Sequence, residues 1–246
     1  MCIRDRGSTF TLACYAGIRW LGLDRNTAML IGIGSSICGA AAVMAAEPVL
    51  RARAEQVTVA VATVVVFGTL AIFVYPLLFQ LNLHWQLIPG GAHGFGVYAG
   101  STIHEVAQVV AAGRSIDAEA ADAAVIAKMV RVMMLAPVLL ALSAWRARHT
   151  PKTASQGRLA VPWFAFGFIG VVLFNSLQLL PAPVLAVANA VDNVLLAMAM
   201  AALGLATPLA AIRKAGIKPL LLAGGLFAWL LLGGALINRV VSVLLG

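Results

Sequence analysis

The chain has 246 residues, of which 62% are hydrophobic and 11% charged, and its mean hydropathy is +0.97. Charged residues make up about a quarter of a soluble domain, so this composition excludes a water-soluble globular protein. The net charge of +8 does not indicate nucleic acid, because the basic residues lie in short connectors between apolar runs. The sequence predicts an all-α polytopic membrane protein, since lipid offers the backbone no hydrogen-bond partners.

The first residues are set apart from the predicted fold. The segment MCIRDR is similar to translated sequencing-adaptor sequence and runs directly into an apolar stretch, so residues 1–7 are expected to be a non-native leader. On this interpretation the chain opens inside a membrane span of a longer protein whose preceding helices are missing.

Apolar runs divide the rest of the chain into predicted membrane spans. A helix needs about 20 apolar residues to cross the hydrocarbon core. Eight runs meet this requirement, at roughly 8–22, 28–49, 56–81, 94–113, 120–145, 161–180, 184–206 and 219–240.

The basic residues of the connectors assign the two sides of the membrane, because cytoplasmic loops carry an excess of lysine and arginine. With eight spans, one side holds eight basic residues and the other holds three. The larger group is Arg25, Arg146, Arg148, Lys152, Arg158, Arg213, Lys214 and Lys218, and the smaller group is Arg51, Arg53 and Arg114. Loops 146–160 and 207–218 are therefore predicted to be cytoplasmic, with 147–160 as a polar linker.

Two predicted spans carry small and polar residues at mid-depth. The span 28–49 contains the cluster GIGSSICGAAA, and the span 184–206 contains Asp192, Asn193 and Gly204. Such residues either allow close helix packing or mark a broken helix.

The order of these spans predicts an inverted repeat. Each of the two spans with small and polar residues is followed by a long apolar partner, at 56–81 and at 219–240. Residues 8–81 would be the last three helices of the first repeat, and residues 82–246 would be a second repeat of five helices.

The strongest local signal is a polar run inside an otherwise apolar span, Gly100-Ser101-Thr102-Ile103-His104-Glu105-Val106-Ala107-Gln108. Ionisable groups at this depth are costly and normally face a cavity or a partner. If the run is helical, His104 and Gln108 share a face at i, i+4, and Glu105 lies beside Gln108 at i, i+3.

Three interpretations of this run are open. The letters HEVAQ come within one residue of the HExxH zinc-protease motif, but Gln108 stands where the second histidine ligand must be. No metal and no cofactor is therefore expected. A buried hydrogen-bond cluster that fixes helix packing is the second interpretation, and solute or proton handling by His104 and Glu105 is the third.

Other ionisable residues extend the candidate site. Lys128 and Arg131 fall on one helix face, and Lys128 is expected to snorkel to the membrane interface. Arg131 lies deeper and either snorkels too or points inward, where its planar donors suit an oxyanion or Glu105. Asp192 is close to mid-membrane, where it serves either a structural salt bridge or ion coupling.

Five ungapped stretches in one order carry a resemblance to a known family. They are GIGSSICGAAAVMAAEPV, VTVAVATVVVFGTLAIFVYP, GSTIHEVAQVVAAG, KMVRVMMLAP and AMAMAALGL. Together they resemble the YeiH family, a group of bacterial inner-membrane proteins assigned to sulfate export. Roughly the first hundred residues of a full-length member have no counterpart in this chain.

The resemblance implies a ten- or eleven-helix transporter with inverted five-helix repeats and two crossing discontinuous helices. It places the segment from Ser35 to Gly39 at the first crossover and Gly204 with its neighbours at the second. It places His104 and Glu105 in the helix that opens the second repeat.

The leading interpretation is a secondary transporter, and by resemblance an exporter, of a small inorganic or sulfur-containing anion such as sulfate. Proton or ion coupling is assigned to His104, Glu105 and Asp192. The expected partners are the lipid bilayer of the inner membrane and the anion, with no nucleic acid, and a homo-oligomer is left open. The expected substrate-binding residues are Ser35, Ser36, Cys38, Gly39, Ser101, Thr102, His104, Glu105, Gln108 and Arg131.

Two alternatives compete with transport. One is an intramembrane enzyme that uses His104 and Glu105 as acid and base, which would place the hydroxyl of Ser101 or Thr102 within hydrogen-bond reach of His104. The other is a membrane partner protein that moves no solute. The leading interpretation expects no enzyme activity and assigns no catalytic residue.

Overall fold

The structure, a computed structural model, describes residues 2–133, 182–206 and 216–245, together with Arg213 and isolated positions between 135 and 181. Every regular element in these residues is helical, which confirms the predicted class. The linker 147–160 and most of the predicted span 161–180 lie outside the described residues. The helices are α1 (Cys2–Tyr15, extended by a π-helical turn at Ala16–Trp20), α2 (Arg25–Ser36), α3 (Ala40–Leu50), α4 (Ala54–Trp85), α5 (Gly91–Thr102), α6 (Val106–Arg114), α7 (Ala118–Met133), α8 (Ala182–Ala206) and α9 (Ile217–Leu245).

In the part of the chain that the structure describes, two helices are long and apolar enough to cross a membrane. α4 has 32 residues with a mean hydropathy of 2.6, and the first 25 residues of α9 have a mean hydropathy of 2.3. At 1.5 Å per residue α4 is about 48 Å long, which exceeds the hydrocarbon core of a bilayer. α4 therefore provides a scale of depth for the helices packed against it.

α2 and α3 form a hairpin and do not continue each other across the membrane. Asp24, which caps the start of α2, accepts a 2.5 Å hydrogen bond from Nε2 of Gln56 in the first turn of α4. A straight helix over α2 and α3 would hold its two ends roughly 40 Å apart. Midway along the hairpin, a Cβ on Gly34 would lie 2.8 Å from Cγ2 of Val43. The chain therefore turns back between the two helices.

α5 and α6 form a second hairpin. A Cβ on Gly96 in α5 would lie 2.9 Å from Cα of Ala120, and a Cβ on Gly113 in α6 would lie 2.7 Å from Cα of Ala121. Because Ala120 and Ala121 are adjacent in α7, Gly96 and Gly113 are neighbours as well. A straight helix would separate them by roughly 25 Å.

The bases of the two hairpins lie at opposite ends of α4. The base of the first hairpin lies beside Gln56, at the start of α4. The base of the second lies beside Asn82 near the end of α4, whose side-chain amide bonds both the N–H and the C=O of Ile88, at 2.8 and 2.9 Å. The hairpins therefore point towards each other.

The tips of the hairpins meet at the middle of α4. A Cβ on Gly34 would lie 2.8 Å from Cγ2 of Val64, and the side chain of Gln108 fills the space that a Cβ on Gly68 would take. Val64 and Gly68 are one helical turn apart, roughly 15 to 20 Å from the start of α4. This depth is near the centre of a bilayer about 30 Å thick.

α7 packs against the second hairpin through small residues. A Cβ on Gly96 or on Gly100 would overlap the backbone of Ala120 or of Ala124, respectively. Glycine and alanine spaced four residues apart let membrane helices approach this closely. The close approach carries the next two turns of α7, which contain Lys128 and Arg131, alongside the hairpin tips.

α9 covers the tips from another side. The ring of Phe227 lies 5.7 Å from that of Phe67 in α4 and 6.3 Å from the ring of His104. One turn further along α9, the carbonyl of Leu231 accepts a 2.9 Å hydrogen bond from the hydroxyl of Tyr98 in α5. The tips are thus enclosed by α4, α7 and α9.

The hairpins correct the predicted membrane topology. Two of the eight predicted spans return to the side from which they enter, so Arg51 and Arg53 lie on the same side as Arg25. With the other six spans crossing as predicted, the count of connector lysines and arginines is ten against one instead of eight against three, with Arg114 on the opposite side. Loops 146–160 and 207–218 are still predicted to be cytoplasmic, and the excess of lysine and arginine on that side is larger.

The predicted interruption of the span 184–206 is wrong. α8 continues as one helix through Asp192, Asn193 and Gly204. Polar side chains do not break a helix when they point away from the backbone, and Asp192 is exposed. The second interruption lies instead in the predicted span 94–113, and the inverted repeat itself stays a prediction.

Candidate functional site

The two hairpin tips bring four helix ends together inside the protein. The first tip (residues 36–40) joins the C-terminus of α2 to the N-terminus of α3, and the second tip (residues 101–105) joins α5 to α6 in the same way. The last carbonyls and the first amides of a helix have no partner within the helix. At membrane depth the protein or a ligand must supply those partners.

Arg131 bridges the two tips. Its side chain is 2% exposed, and its guanidinium donates to the carbonyl of Ser36 at 2.7 Å and to the carbonyl of Ser101. These carbonyls end α2 and α5, where the helix dipoles place partial negative charge. The planar fork of donors reaches both helices at once, which a single ammonium group does less well.

Lys128 binds the same tips one turn earlier on α7. Its Nζ donates to the carbonyl of Ile103 at 2.7 Å, to that of His104 and, at 3.4 Å, to that of Ile37. The side chain is 0% exposed, so the expectation that Lys128 snorkels to the interface is wrong. Carbonyls freed by the hairpin turns replace the water that a lysine usually seeks.

Glu105 occupies the helix N-terminus at the first tip. Its Oε1 accepts a 3.0 Å hydrogen bond from the backbone N–H of Ala40, the first residue of α3. A carboxylate is stabilised there by the partial positive charge of the helix end. The half-buried Glu105 also lies within electrostatic reach of Lys128.

The tips hold two cations against one carboxylate. Lys128 and Arg131 are buried, and Glu105 is the acidic side chain beside them. Of the other acidic side chains whose burial the structure describes, Glu47 is half-buried near the far end of α3 and the rest are exposed, namely Asp24, Glu55, Asp117, Glu119, Asp122 and Asp192. The side chains at the tips therefore carry one excess positive charge.

Two buried polar side chains beside these charges lack hydrogen-bond partners. They are His104, at Nδ1, and Gln108, at both atoms of its amide, and the two side chains are 2% and 0% exposed. Leaving such a group unpaired costs about 1–3 kcal/mol. Because His104 lies in the non-helical second tip, the predicted i, i+4 relation to Gln108 does not apply. The charges of Lys128 and Arg131 reach His104, and Gln108 offers its free polar atoms beside Gly68 of α4.

The hydroxyl groups at the tips are turned towards the backbone. Ser101 donates to the carbonyl of Tyr98 at 2.8 Å, and Thr102 donates to the same carbonyl at 2.6 Å while it accepts from the hydroxyl of Tyr75 at 2.6 Å. Ser36 likewise donates to the carbonyl of Gly32. Neither Ser101 nor Thr102 is hydrogen-bonded to His104.

The remaining predicted site residues fall into two groups. Ser35 and the free thiol of Cys38 are buried in the first hairpin, and the charges of Lys128 and Arg131 reach Cys38. Asp192 is exposed on α8. Within the described residues, no three His, Cys, Asp or Glu side chains gather as metal ligands would.

Sequence reasoning left three members of the site out. Lys128 was assigned to the interface, and Val64 and Gly68 of α4 carry no polar group that would single them out. The signal for Lys128 was present, since it shares a helix face with Arg131. What the sequence lacked was the location of the carbonyls that both cations bind.

Gly39 provides a test of where the tips lie. Its backbone has φ +71°, and a Cβ there would lie 2.9 Å from Oε1 of Glu105 and 3.1 Å from Val64. Gly39→Ala is expected to lower the free energy of unfolding by about 2 kcal/mol or more, from strain and overpacking. Gly204→Ala is the matched control, since nothing lies within 4 Å of that position, and it is expected to be neutral. Equal thermal unfolding curves for the two variants in detergent would contradict the described tip.

Comparison with known proteins places the chain in a family. The UPF0324 membrane protein of Pseudomonas aeruginosa is 63% identical over 235 residues, which are 94% of this chain and 66% of that protein. The corresponding UPF0324 membrane protein of Yersinia pestis is 62% identical over 239 residues, with 96% and 66% covered. The UPF0324 inner membrane protein YeiH of Escherichia coli K12 is 55% identical over 237 residues, with the same coverage.

These matches confirm the resemblance to the YeiH family. The chain spans 66% of the length of the relatives from P. aeruginosa and E. coli K12. No solved structure matches it. The family model described as Conserved hypothetical protein 698 matches residues 5–223, and the chain belongs to this family of UPF0324 membrane proteins. It is a multi-pass protein of the bacterial inner membrane.

Proposed function

We propose that this UPF0324 protein is a secondary transporter that exports a small inorganic or sulfur-containing anion such as sulfate across the inner membrane. The observation that carries the proposal is the excess positive charge of Lys128 and Arg131 over Glu105 at the meeting point of two opposed hairpins. Buried charge is costly unless a partner compensates for it. A small anion is the simplest such partner.

The location of these charges supports transport over a fixed structural role. The hairpin tips lie near the membrane midplane, and each hairpin opens towards its own side of the membrane. In transporters, interrupted helices at this depth hold the solute, and the N-termini of the half-helices face its negative groups. An anion at the tips would be shielded from both sides by one hairpin each.

The contacts of the two cations suggest how each side opens. On the first hairpin they bond Ser36 and, weakly, Ile37, whereas on the second they bond three carbonyls, those of Ser101, Ile103 and His104. Movement of either hairpin breaks its own bonds to the cations, together with the bond from the N–H of Ala40 to Glu105 that joins the two tips, and leaves the cations held by the other hairpin.

The geometry favours transport over the enzyme alternative. A serine or threonine nucleophile would be hydrogen-bonded to its base, whereas Ser101 and Thr102 both donate to a backbone carbonyl and not to His104. A membrane partner that moves no solute is the remaining alternative, and flux measurements decide between it and a transporter.

The experiment uses this chain and a full-length chimera, in which the chain replaces the 235 matched residues of the P. aeruginosa relative. Each is reconstituted in proteoliposomes and assayed with radiolabelled sulfate and sulfite, with and without a pH gradient. Accumulation at least tenfold above empty vesicles is expected for the chimera, and Arg131→Met in the same chimera is expected to remove it. Uptake no greater than that of empty vesicles, for every anion and gradient, would refute the proposal.

A further inference from the structure

The carboxylate of Glu105 lies where an anion would be expected to bind. Its Oε1 accepts from the N–H of Ala40 at the N-terminus of α3, a helix of 11 residues. Helix N-termini bind anions through unpaired N–H groups and the helix dipole. Lys128 lies within electrostatic reach of the same carboxylate.

A second observation points to a missing ligand beside this carboxylate. Gln108 is 0% exposed, and neither its Oε1 nor its Nε2 has a hydrogen-bond partner. A Cβ on Gly39 would lie within 3.1 Å of both Glu105 and Val64, and Gln108 packs against Gly68, one turn further along α4. Glu105 and the unpaired amide therefore face neighbouring turns of α4.

We propose that the carboxylate of Glu105 competes with a divalent oxyanion for the N-terminus of α3. The anion binds at the N-terminus of α3 only when Glu105 takes up one proton and withdraws, so that each anion enters with one proton. The inference rests on the proposed function, and it assigns to that function a substrate charge and a coupling ion.

The charges at the tips favour a divalent anion. With Glu105 ionised, Lys128 and Arg131 exceed the carboxylate by one charge. When Glu105 is neutral, the two cations match the two charges of sulfate or a similar oxyanion. A monovalent anion would leave one buried positive charge unpaired, which costs free energy.

The protonated carboxyl of Glu105 has a hydrogen-bond acceptor nearby in Gln108. Once it leaves the N–H of Ala40, its new O–H donor needs an acceptor, and Oε1 of Gln108 is an unpaired acceptor nearby. Gly39 makes the movement sterically possible, because a Cβ there would collide with the stem of Glu105. The proton moves from water to the carboxylate, and the oxyanion takes over the hydrogen bond of Ala40.

Other titratable groups face Glu105 and bear on its pH dependence. Cys38 lies on the first hairpin, His104 precedes Glu105 in the second tip, and Lys128 and Arg131 reach the tips from α7. Val64 of α4 lies beside Gly39, and Phe227 of α9 lies against His104; neither residue titrates. Arg131 stays charged over the physiological range, and the titration of His104 must be separated from that of Glu105.

The experiment measures sulfate affinity by calorimetry for the chimera between pH 5.5 and 8.5. In the wild type the affinity is expected to fall about tenfold for each pH unit over the range in which Glu105 is ionised, because one proton is taken up per sulfate. Glu105→Gln and Glu105→Ala are expected to remove this slope and to bind sulfate at least tenfold more tightly at pH 8.5. Glu47→Gln, in α3 of the first hairpin, is the control and is expected to keep the wild-type slope.

Three results separate the possible failures. A slope that persists in Glu105→Gln overturns the inference and points to His104, whose replacement by Gln would then remove the slope. Loss of sulfate binding in both Glu105 variants, with normal unfolding curves, overturns it as well. Absence of binding in the wild type and in every variant, for divalent and monovalent anions alike, refutes the proposed function itself.

A second measurement needs no variant that might fail to fold. A pH-sensitive dye trapped in wild-type proteoliposomes is expected to report one proton carried inward with each sulfate. One net negative charge should enter in the same step. Sulfate flux without any accompanying proton would overturn the inference while leaving the transporter in place.

Discussion

Replacement of Arg131 by methionine is expected to release both hairpin tips and to abolish anion binding. The change removes the donors to the carbonyls of Ser36 and Ser101, which stay buried at the ends of α2 and α5. The loss of two hydrogen bonds from a charged donor costs about 3 kcal/mol of the free energy of unfolding. The variant also removes the excess charge, so sulfate affinity should fall by about a hundredfold or more.

Thermal unfolding in detergent and sulfate calorimetry on the chimera measure these two effects. Arg114→Met is the matched control, because Arg114 is an exposed arginine at the end of α6. Arg131→Lys separates charge from shape: it keeps the charge but loses the fork, so it should retain more affinity than Arg131→Met. If Arg131→Met and Arg114→Met behave alike, the bridge between the tips does not exist.

Lys128→Met is expected to have the second-largest effect. The ammonium group donates to Ile103, His104 and Ile37, and methionine fills a similar volume without a donor or a charge. The loss of the stronger bonds at the second tip should lower the free energy of unfolding by about 2–3 kcal/mol. Sulfate affinity should fall at least tenfold, because the tips would keep one cation against one carboxylate.

A lysine that snorkels to the interface would give the opposite result. Lys218 is exposed at the start of α9, so Lys218→Met serves as the control and is expected to change neither unfolding nor affinity. If Lys128→Met matches this control, Lys128 reaches the membrane surface and the described contacts are wrong. The two variants differ only in the surroundings of the lysine, which makes the comparison direct.

Much of the first hairpin could be predicted from the sequence. The cluster of Gly32, Gly34, Ser35, Ser36 and Gly39 is more than helix packing requires, and it indicated an interruption at this point. The direction of the chain after the interruption could not be predicted, because a broken helix that continues and one that turns back have the same composition. The bond from Gln56 to Asp24 decides between them, and it joins residues 32 positions apart.

The second hairpin was not recognised because its turn has no glycine or proline. The sequence Ile103-His104-Glu105 is compatible with a helix, so the polar run predicts a helical face. The turn is held instead by bonds from Lys128 to two carbonyls and by the bond from the N–H of Ala40 to the carboxylate of Glu105. These contacts are tertiary, and local sequence does not encode them.

In the span 184–206 the sequence indicated an interruption that the structure does not contain. Asp192, Asn193 and Gly204 suggested an interruption, yet α8 is continuous. One glycine in a helix costs about 1 kcal/mol relative to alanine, which is too little to break a long apolar helix. The resemblance to a known family added the expectation that the second crossover lies here, and the described contacts place the second interruption at 103–105.

The unpaired polar atoms at the tips are what a binding site for an anion requires. Most buried polar groups in a folded protein have partners, so the unpaired His104 and Gln108 next to two cations are unusual. An oxyanion would accept from either side chain and from Ala40. The same residues then explain both the cost of the unpaired polar atoms and the preference of the tips for an anion.

The central claim is that an anion binds between the two hairpin tips. A crystal or cryo-EM structure of the chimera with selenate, a heavier analogue of sulfate, tests it most directly, because anomalous scattering or strong density locates the selenium atom. The account predicts one strong site between residues 36–40 and 101–105, in contact with Arg131 and with the N–H of Ala40. Selenate found only at the protein surface, or tips that lie apart from each other in that structure, would contradict it.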